Sequence, residues 1–239
     1  MAYTNSPLVT YTNLTKNKTS PRKHAIDTIT IHCYVGQVTA KKGCDMFATT
    51  DRAVSSNYVV GYDGSIGLSV EEKNRSWCSG GKDKYGKIIK VNGISGADND
   101  HRAITIEVAS DTKAPYAITD KAYAALIDLV ADICKRNGIK ELKWKADKTL
   151  VGKVDKQNMT VHRWFANKDC PGDYIYGRLS AIAKEVNKRL APESEETTKT
   201  IYRVQVGAYS KKANAENMLA KLKEAGFTDA IITTVITKA

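Results

Sequence analysis

Alternation of apolar and polar side chains predicts a short strand over Thr28–His32, built from β-branched residues up to the histidine. A second alternation runs through Asn57–Tyr62 and resumes at Ser65–Val70; the Asp63-Gly64 pair between them favours a tight hairpin turn. Arg102–Ala109 predicts another strand, with Ile104, Ile106 and Val108 on one side and Thr105 and Glu107 on the other. The period then changes to that of a helix. Thr119 is a capping residue, Asp120 stands in the first turn, and Tyr123, Leu126, Ile127, Val130, Ile133 and Cys134 share one face before Asn137-Gly138 ends the pattern. Ile175, Leu179, Ile182, Ala183, Val186 and Leu190 mark one more amphipathic helix, and Lys42–Ala53 predicts a shorter one carrying Met46, Phe47 and Thr50 on one side.

The intervening stretches carry little periodicity. Residues 1–26 read as an irregular, Thr- and Asn-rich lead-in, and Lys73–Asp100 as a polar, glycine-rich loop whose large apolar residue is Trp77. Residues 191–199 are polar and acidic, which makes them a linker. Residues 200–239 follow as strand, helix and strand: Tyr202–Tyr209 alternates, Asn214–Ala225 places Met218, Leu219 and Leu222 at helical spacing, and Ala230–Ile236 closes the unit. The expected organisation is therefore a domain over 1–190, a linker over 191–199 and a small unit over 200–239.

At 239 residues the chain has room for one good-sized core and a small second unit. Charges interrupt its apolar runs every few residues, so none spans a bilayer. The first fifteen residues lack the apolar core of a secretory signal, and the five cysteines show no framework spacing; both suggest synthesis in the cytoplasm with reduced thiols. The net charge is +11, nearly all of it on the first 190 residues, which favours anionic partners. No nucleic-acid recognition motif accompanies that charge.

The chemistry concentrates in Val161-His162-Arg163-Trp164-Phe165-Ala166-Asn167-Lys168-Asp169-Cys170, closed by Pro171-Gly172. Histidine and cysteine are preferred zinc ligands, and a catalytic zinc takes three protein ligands and leaves one position open. His32, at the tip of its strand, is the third candidate. Long separation from the other two suits a catalytic centre better than a zinc finger. The remaining histidines, His24 and His101, lie among charged residues in expected loops.

Three segments, ITIHC, AITIEVAS and MTVHRW followed by KDCPGD, occur in this order between Asp27 and Leu190, and together they resemble the type-2 N-acetylmuramoyl-L-alanine amidases. That family includes phage lysins and peptidoglycan recognition proteins. The resemblance implies an α/β fold, a central mixed sheet flanked by helices with a zinc site in a surface groove. It also implies zinc bound by His32, His162 and Cys170, Glu107 as general base, and Lys168 beside the developing oxyanion. Asn57 occupies a slot where relatives often carry histidine and is an expected substrate contact. Trp77 and Trp164 are expected along the sugar or peptide groove, and Cys33 is expected to be buried and unreactive.

YRVQVGAYS and NAENMLAKLKEAGF resemble the first half of a SPOR module, which binds peptidoglycan glycan strands. A βαβ half-module of this size rarely makes a stable core unaided, so either the module is truncated here or two chains pair their halves into a homodimer, and the exposed edge of Val204 and Val206 favours pairing. The implied function is hydrolysis of the amide between N-acetylmuramic acid and L-alanine by a phage or prophage endolysin, reaching the wall through a holin pore or by lysis. Anionic wall polymers such as teichoic acids are the further expected partners. The alternatives are a peptidoglycan-binding protein without turnover and a zinc peptidase acting within the stem peptide.

Overall fold

The computed structural model describes residues 3–191 and 204–235, and the chain divides into two compact units, Met1–Pro192 and Glu193–Ala239. In chain order the first unit contains strands β1 (Tyr11–Thr12), β2 (Lys18–Thr19) and β3 (Thr28–Cys33), helix α1 (Ala40–Thr49), and strands β4 (Tyr58–Val60), β5 (Ile66–Leu68), β6 (Arg75–Ser76), β7 (Lys90–Val91) and β8 (Ile94–Ser95). Helix α2 (Gly96–Arg102), strand β9 (Ala103–Val108), helix α3 (Asp120–Arg136), strand β10 (Met159–Thr160) and helices α4 (Gly172–Tyr176) and α5 (Leu179–Leu190) complete it.

Six strands form one mixed sheet in the order β1-β5-β4-β9-β3-β10. β4, β9, β3 and β10 are mutually parallel, β5 returns antiparallel to β4 as a hairpin, and β1 runs parallel to β5. This is the central mixed sheet flanked by helices that the family resemblance implies.

The register sorts the two faces of the sheet. Ile29 pairs with Ile104 and Ile31 with Ile106, so these side chains share a face, and they pack with Leu126, Val130 and Ile133 of α3 and Ile182 and Val186 of α5 in the main core. Thr30 pairs with Thr105 and His32 with Glu107, which puts all four on the opposite face. Both faces are buried, as expected for parallel strands. Helix α3 starts where the sequence places it: Thr119 accepts the Ala122 N–H at 3.1 Å.

Several elements depart from the sequence reading. The lead-in contributes β1 and β2, two-residue strands too short to leave a pattern, and buries Arg22, whose guanidinium donates to the carbonyls of His101 at 3.0 Å and Asn74 at 2.9 Å. The expected loop over 73–100 holds β6, the β7–β8 hairpin and α2. Asn92 and Gly93 adopt φ of 51° and 77°, the pair of positive values a two-residue hairpin turn requires. Ser95 and Asp98 cap α2 reciprocally. The single helix expected over Ile175–Leu190 is two, because α4 stops at Gly177 and α5 restarts at Leu179.

In the second unit the expected helix is present as α6 (Lys212–Glu224). The flanking strands do not appear among the described residues: 204–209 and 230–235 form no strand pairing there, and Val204, Val206, Ile231 and Val235 are exposed. A strand needs a neighbour to satisfy its backbone, and this unit offers none among its described residues. The proposed linker, apart from Ala191, lies outside the described residues.

Candidate active site

Three neighbouring parallel strands each end in the same short pattern. β3 carries Thr30-Ile31-His32, β9 carries Thr105-Ile106-Glu107, and β10 runs through Thr160 into Val161-His162. With a side-chain period of two, a threonine and the residue two places on must share a face. Thr30 and Thr160 meet through their hydroxyls at 2.7 Å. Two residues further along, the rings of His32 and His162 stand 5.1 Å apart. Glu107 is the cross-strand partner of His32 on its other side.

The threonines rest on a buried polar layer. Asn99 donates to Thr30 Oγ1 and accepts from Thr160 Oγ1, both at 3.0 Å, while Ser76 Oγ lies 2.7 Å from Thr105 Oγ1. Satisfied networks of this kind fix side chains within a unique arrangement. The strand ends are therefore held from beneath.

Cys170 arrives from the loop between the 3₁₀ turn His162–Trp164 and α4. Its Sγ lies 3.3 Å from His32 Nδ1. Gly172 sits at φ +80°, and a Cβ there would come within 2.7 Å of Tyr116 Cβ, so the turn that delivers Cys170 needs glycine at this position. One ligand atom each from His32, His162 and Cys170 all lie within 4.8 Å of one another.

This group fits a metal. Nε2 of His162 is buried without a hydrogen-bond partner, as is Oε2 of Glu107. Burial drives the His32 imidazole well below its ordinary pKa, and burial, opposed by a Gly80 backbone hydrogen bond and aided by the Lys168 charge, brings His162 down to about 4. Both rings are thus neutral at neutral pH, the form that ligates. Two imidazoles and a thiolate form a donor set that suits zinc.

Glu107 shows some surface, yet its carboxyl group is enclosed. Burial first, and then the neighbouring Cys33 side chain, raise its pKa well above the usual carboxylate range. A cation among the adjacent ligands acts in the opposite sense. Lys168 is exposed and lines a cleft of about 390 Å³ together with Cys33, Val35, Tyr116 and Cys170. The sequence-derived metal group, Glu107 and Lys168 thus gather at one end of the sheet.

The other expected site residues do not join them. Asn57 is fully buried, and the structure corrects its assignment as a substrate contact. Its Nδ2 donates to the Val70 carbonyl at 3.0 Å and its Oδ1 accepts the Thr105 N–H at 3.2 Å. Trp77 donates through Nε1 to Thr19 Oγ1 at 2.9 Å, a contact toward β2. Trp164 stacks on Trp144 at 5.2 Å with 8° between the rings and packs against the main core. Neither tryptophan lines the cleft beside Cys170.

Sequence reasoning missed Cys78, Ser79 and Asp100. The Cys78 thiol donates to Glu107 Oε1 at 3.7 Å, and burial keeps it protonated. Ser79 Oγ lies 3.4 Å from His32 Nε2, on the far side of the ring from Cys170. Asp100 accepts the N–H groups of both Cys78 and Ser79 at 2.9 Å and so fixes the segment that steadies the site. Nothing in the spacing of a polar loop marks these residues. The repeated Thr-Ile-His, Thr-Ile-Glu and Thr-Val-His tripeptides were a usable signal for the rest.

Comparison with known proteins agrees with this geometry. Residues 22–173 match the family model described as N-acetylmuramoyl-L-alanine amidase. The chain belongs to that family. Residues 198–239 match the SPOR domain model. The amidase is similar in fold to the crystal structure of a selenomethionine derivative of AmpD, with 18% identity, a TM-score of 0.52 and coverage of 77% of this chain and 99% of that one. It is likewise similar to the Staphylococcus aureus hydrolase AmiA in complex with its ligand, with 15% identity, a TM-score of 0.51 and coverage of 75% and 82%. No curated protein sequence matches significantly. Family membership makes the chain a peptidoglycan amidase, and among the described residues no helix is long and apolar enough to cross a membrane.

Proposed function

We propose that this amidase is zinc-dependent and cleaves the amide joining the lactyl group of N-acetylmuramic acid to L-alanine, with His32, His162 and Cys170 as metal ligands. The observation that carries the reading is the convergence of those three side chains to within 4.8 Å around an unpartnered, buried His162 Nε2. Bound there, zinc would supply Lewis acidity and lower the pKa of water at its open position to about 7.

The chain's own residues supply the remaining steps. Glu107 is the general base: the Cys78 thiol occupies Oε1, and Oε2 remains free to take a proton from the attacking water and deliver it to the leaving amine. Lys168, at the mouth of the 390 Å³ cleft, offers positive charge to the carbonyl oxygen as the tetrahedral intermediate forms. Ser79 and the Asp100-held segment keep His32 from turning.

The reading extends to a catalytic domain over 1–190, a linker over 191–199 and a wall-binding half-module over 200–239, acting together as a phage or prophage lysin. The charge of +11 and the SPOR match support wall targeting. Exposed Val204, Val206 and Ile231 support pairing of two half-modules into a homodimer; a monomeric mass in light scattering at micromolar concentration argues against that part alone. Mass spectrometry of digested peptidoglycan tests the reaction. Stem peptides with free L-alanine amino termini and uncut glycan chains are expected, whereas cleavage between stem amino acids would replace this reading with that of a peptidase.

A further inference from the structure

Apart from the metal-capable group, the first unit carries a cleft of about 1010 Å³ between α5 and residues 141–156. Helix α5 presents Ser180, Ala183, Lys184, Asn187 and Lys188 to it, positions that recur on a single helical face. The opposite wall, 141–147, has no regular secondary structure but is firmly held. Asn187 exchanges two hydrogen bonds with the Leu142 backbone, at 2.7 and 2.9 Å. Asn158 accepts the Lys143 N–H at 2.7 Å, and Gln157 accepts the Lys145 N–H at 3.0 Å while donating to the Asp147 carbonyl at 2.9 Å. Both amides are buried, so the cleft is formed in advance of any ligand.

Its lining mixes three kinds of group. Trp144 is half-buried, stacked on Trp164 and edge-on to Tyr176 at 5.7 Å, which immobilises the indole. Five lysines face three carboxylates across the lining. Lys143 and Lys188 have acidic partners in Glu141 and Glu185, whereas Lys145, Lys156 and Lys184 are exposed and form no ion pair among the described residues. Unpaired ammonium groups in a concavity attract anions. A fixed indole gives apolar contact to a sugar ring. Carboxylates interspersed with the lysines disfavour a dense polyanion such as nucleic acid and accept hydrogen bonds from hydroxyls.

We propose that this cleft binds an anionic, sugar-bearing polymer whose phosphodiesters are spaced by hydroxyl-rich units. Such a contact holds the amidase on the wall independently of the metal group and of the SPOR-like unit. Calorimetric titration of the full chain at about 150 mM salt tests it, with purified glycosylated glycerol-phosphate teichoic acid as probe and polyphosphate, DNA and dextran as comparators. Teichoic acid is expected to bind, dextran not to bind, and polyphosphate and DNA to bind more weakly. The triple variant K145E/K156E/K184E, shown to be folded by circular dichroism, is expected to weaken teichoic acid binding at least about tenfold. The neutral set K145Q/K156Q/K184Q should do so in part. A variant with the same charge change elsewhere, K42E/K87E/K121E, should keep wild-type affinity. Absence of teichoic acid binding, an unchanged affinity in the cleft variants, an equal loss in the control variant, or equal binding of polyphosphate or DNA each overturns the proposal.

Discussion

Replacing Asn57 with alanine separates a structural residue from a substrate contact. The carboxamide bridges two elements, donating to the Val70 carbonyl at 3.0 Å and accepting the Thr105 N–H at 3.2 Å, and the side chain is fully buried. Truncation leaves both backbone groups buried without partners, at about 1–3 kcal/mol each. The loss is thus roughly 2–6 kcal/mol. For a unit of this size, 1 kcal/mol moves the melting temperature by about 2–4 °C, so Asn57→Ala should melt roughly 4–24 °C below wild type. The assay is thermal unfolding followed by circular dichroism, paired with steady-state kinetics on a soluble muropeptide well below the melting range. KM should stay close to wild type. An unchanged melting temperature combined with a several-fold rise in KM would show that Asn57 touches substrate, and the reasoning from its burial would fail.

Three further outcomes follow from the site. Glu107→Gln should retain metal yet lose about 10²–10⁴ in kcat; activity within a few-fold of wild type would remove Glu107 from the role of base. Lys168→Met should lower kcat by about 10²–10³ with little change in metal content, and a loss confined to KM would assign it to binding instead. Burial raises the Asp100 carboxyl to about 6, above its unfolded value, so its stabilising contribution is present below about pH 4 and is lost as pH rises through 6. Asp100→Asn should therefore flatten the fall in stability between pH 4 and 6, a difference of roughly 3 kcal/mol, read from urea unfolding at a series of pH values; parallel curves for the two proteins would contradict it.

Strong periodicity made part of this molecule legible. Helix α3 declared its own cap, face and end, and β3 and β9 were visible as alternating β-branched runs. The metal group was legible because the same two-residue spacing that builds a strand also aims His32, Glu107 and His162 to one side. What stayed hidden depends on tertiary context. β1 and β2 are two residues long and exist through pairing with β5 and β6 rather than through propensity. Asn57 looked like a site residue from its place in the chain, and its burial only appears once Thr105 and Val70 are brought beside it. Cys78, Ser79 and Asp100 act from a loop whose composition says nothing about what it covers. The terminal strands expected in the second unit illustrate the converse, since alternation alone does not supply a neighbouring edge.

Metal content of the purified, full-length protein bears most directly on whether the two imidazoles and the thiolate form a catalytic centre. Elemental analysis by mass spectrometry should find about one zinc per chain, and Cys170→Ser, prepared in the same way, should retain far less. Protein free of zinc but fully active, or a Cys170→Ser variant that keeps a full complement, would contradict a three-ligand centre at His32, His162 and Cys170.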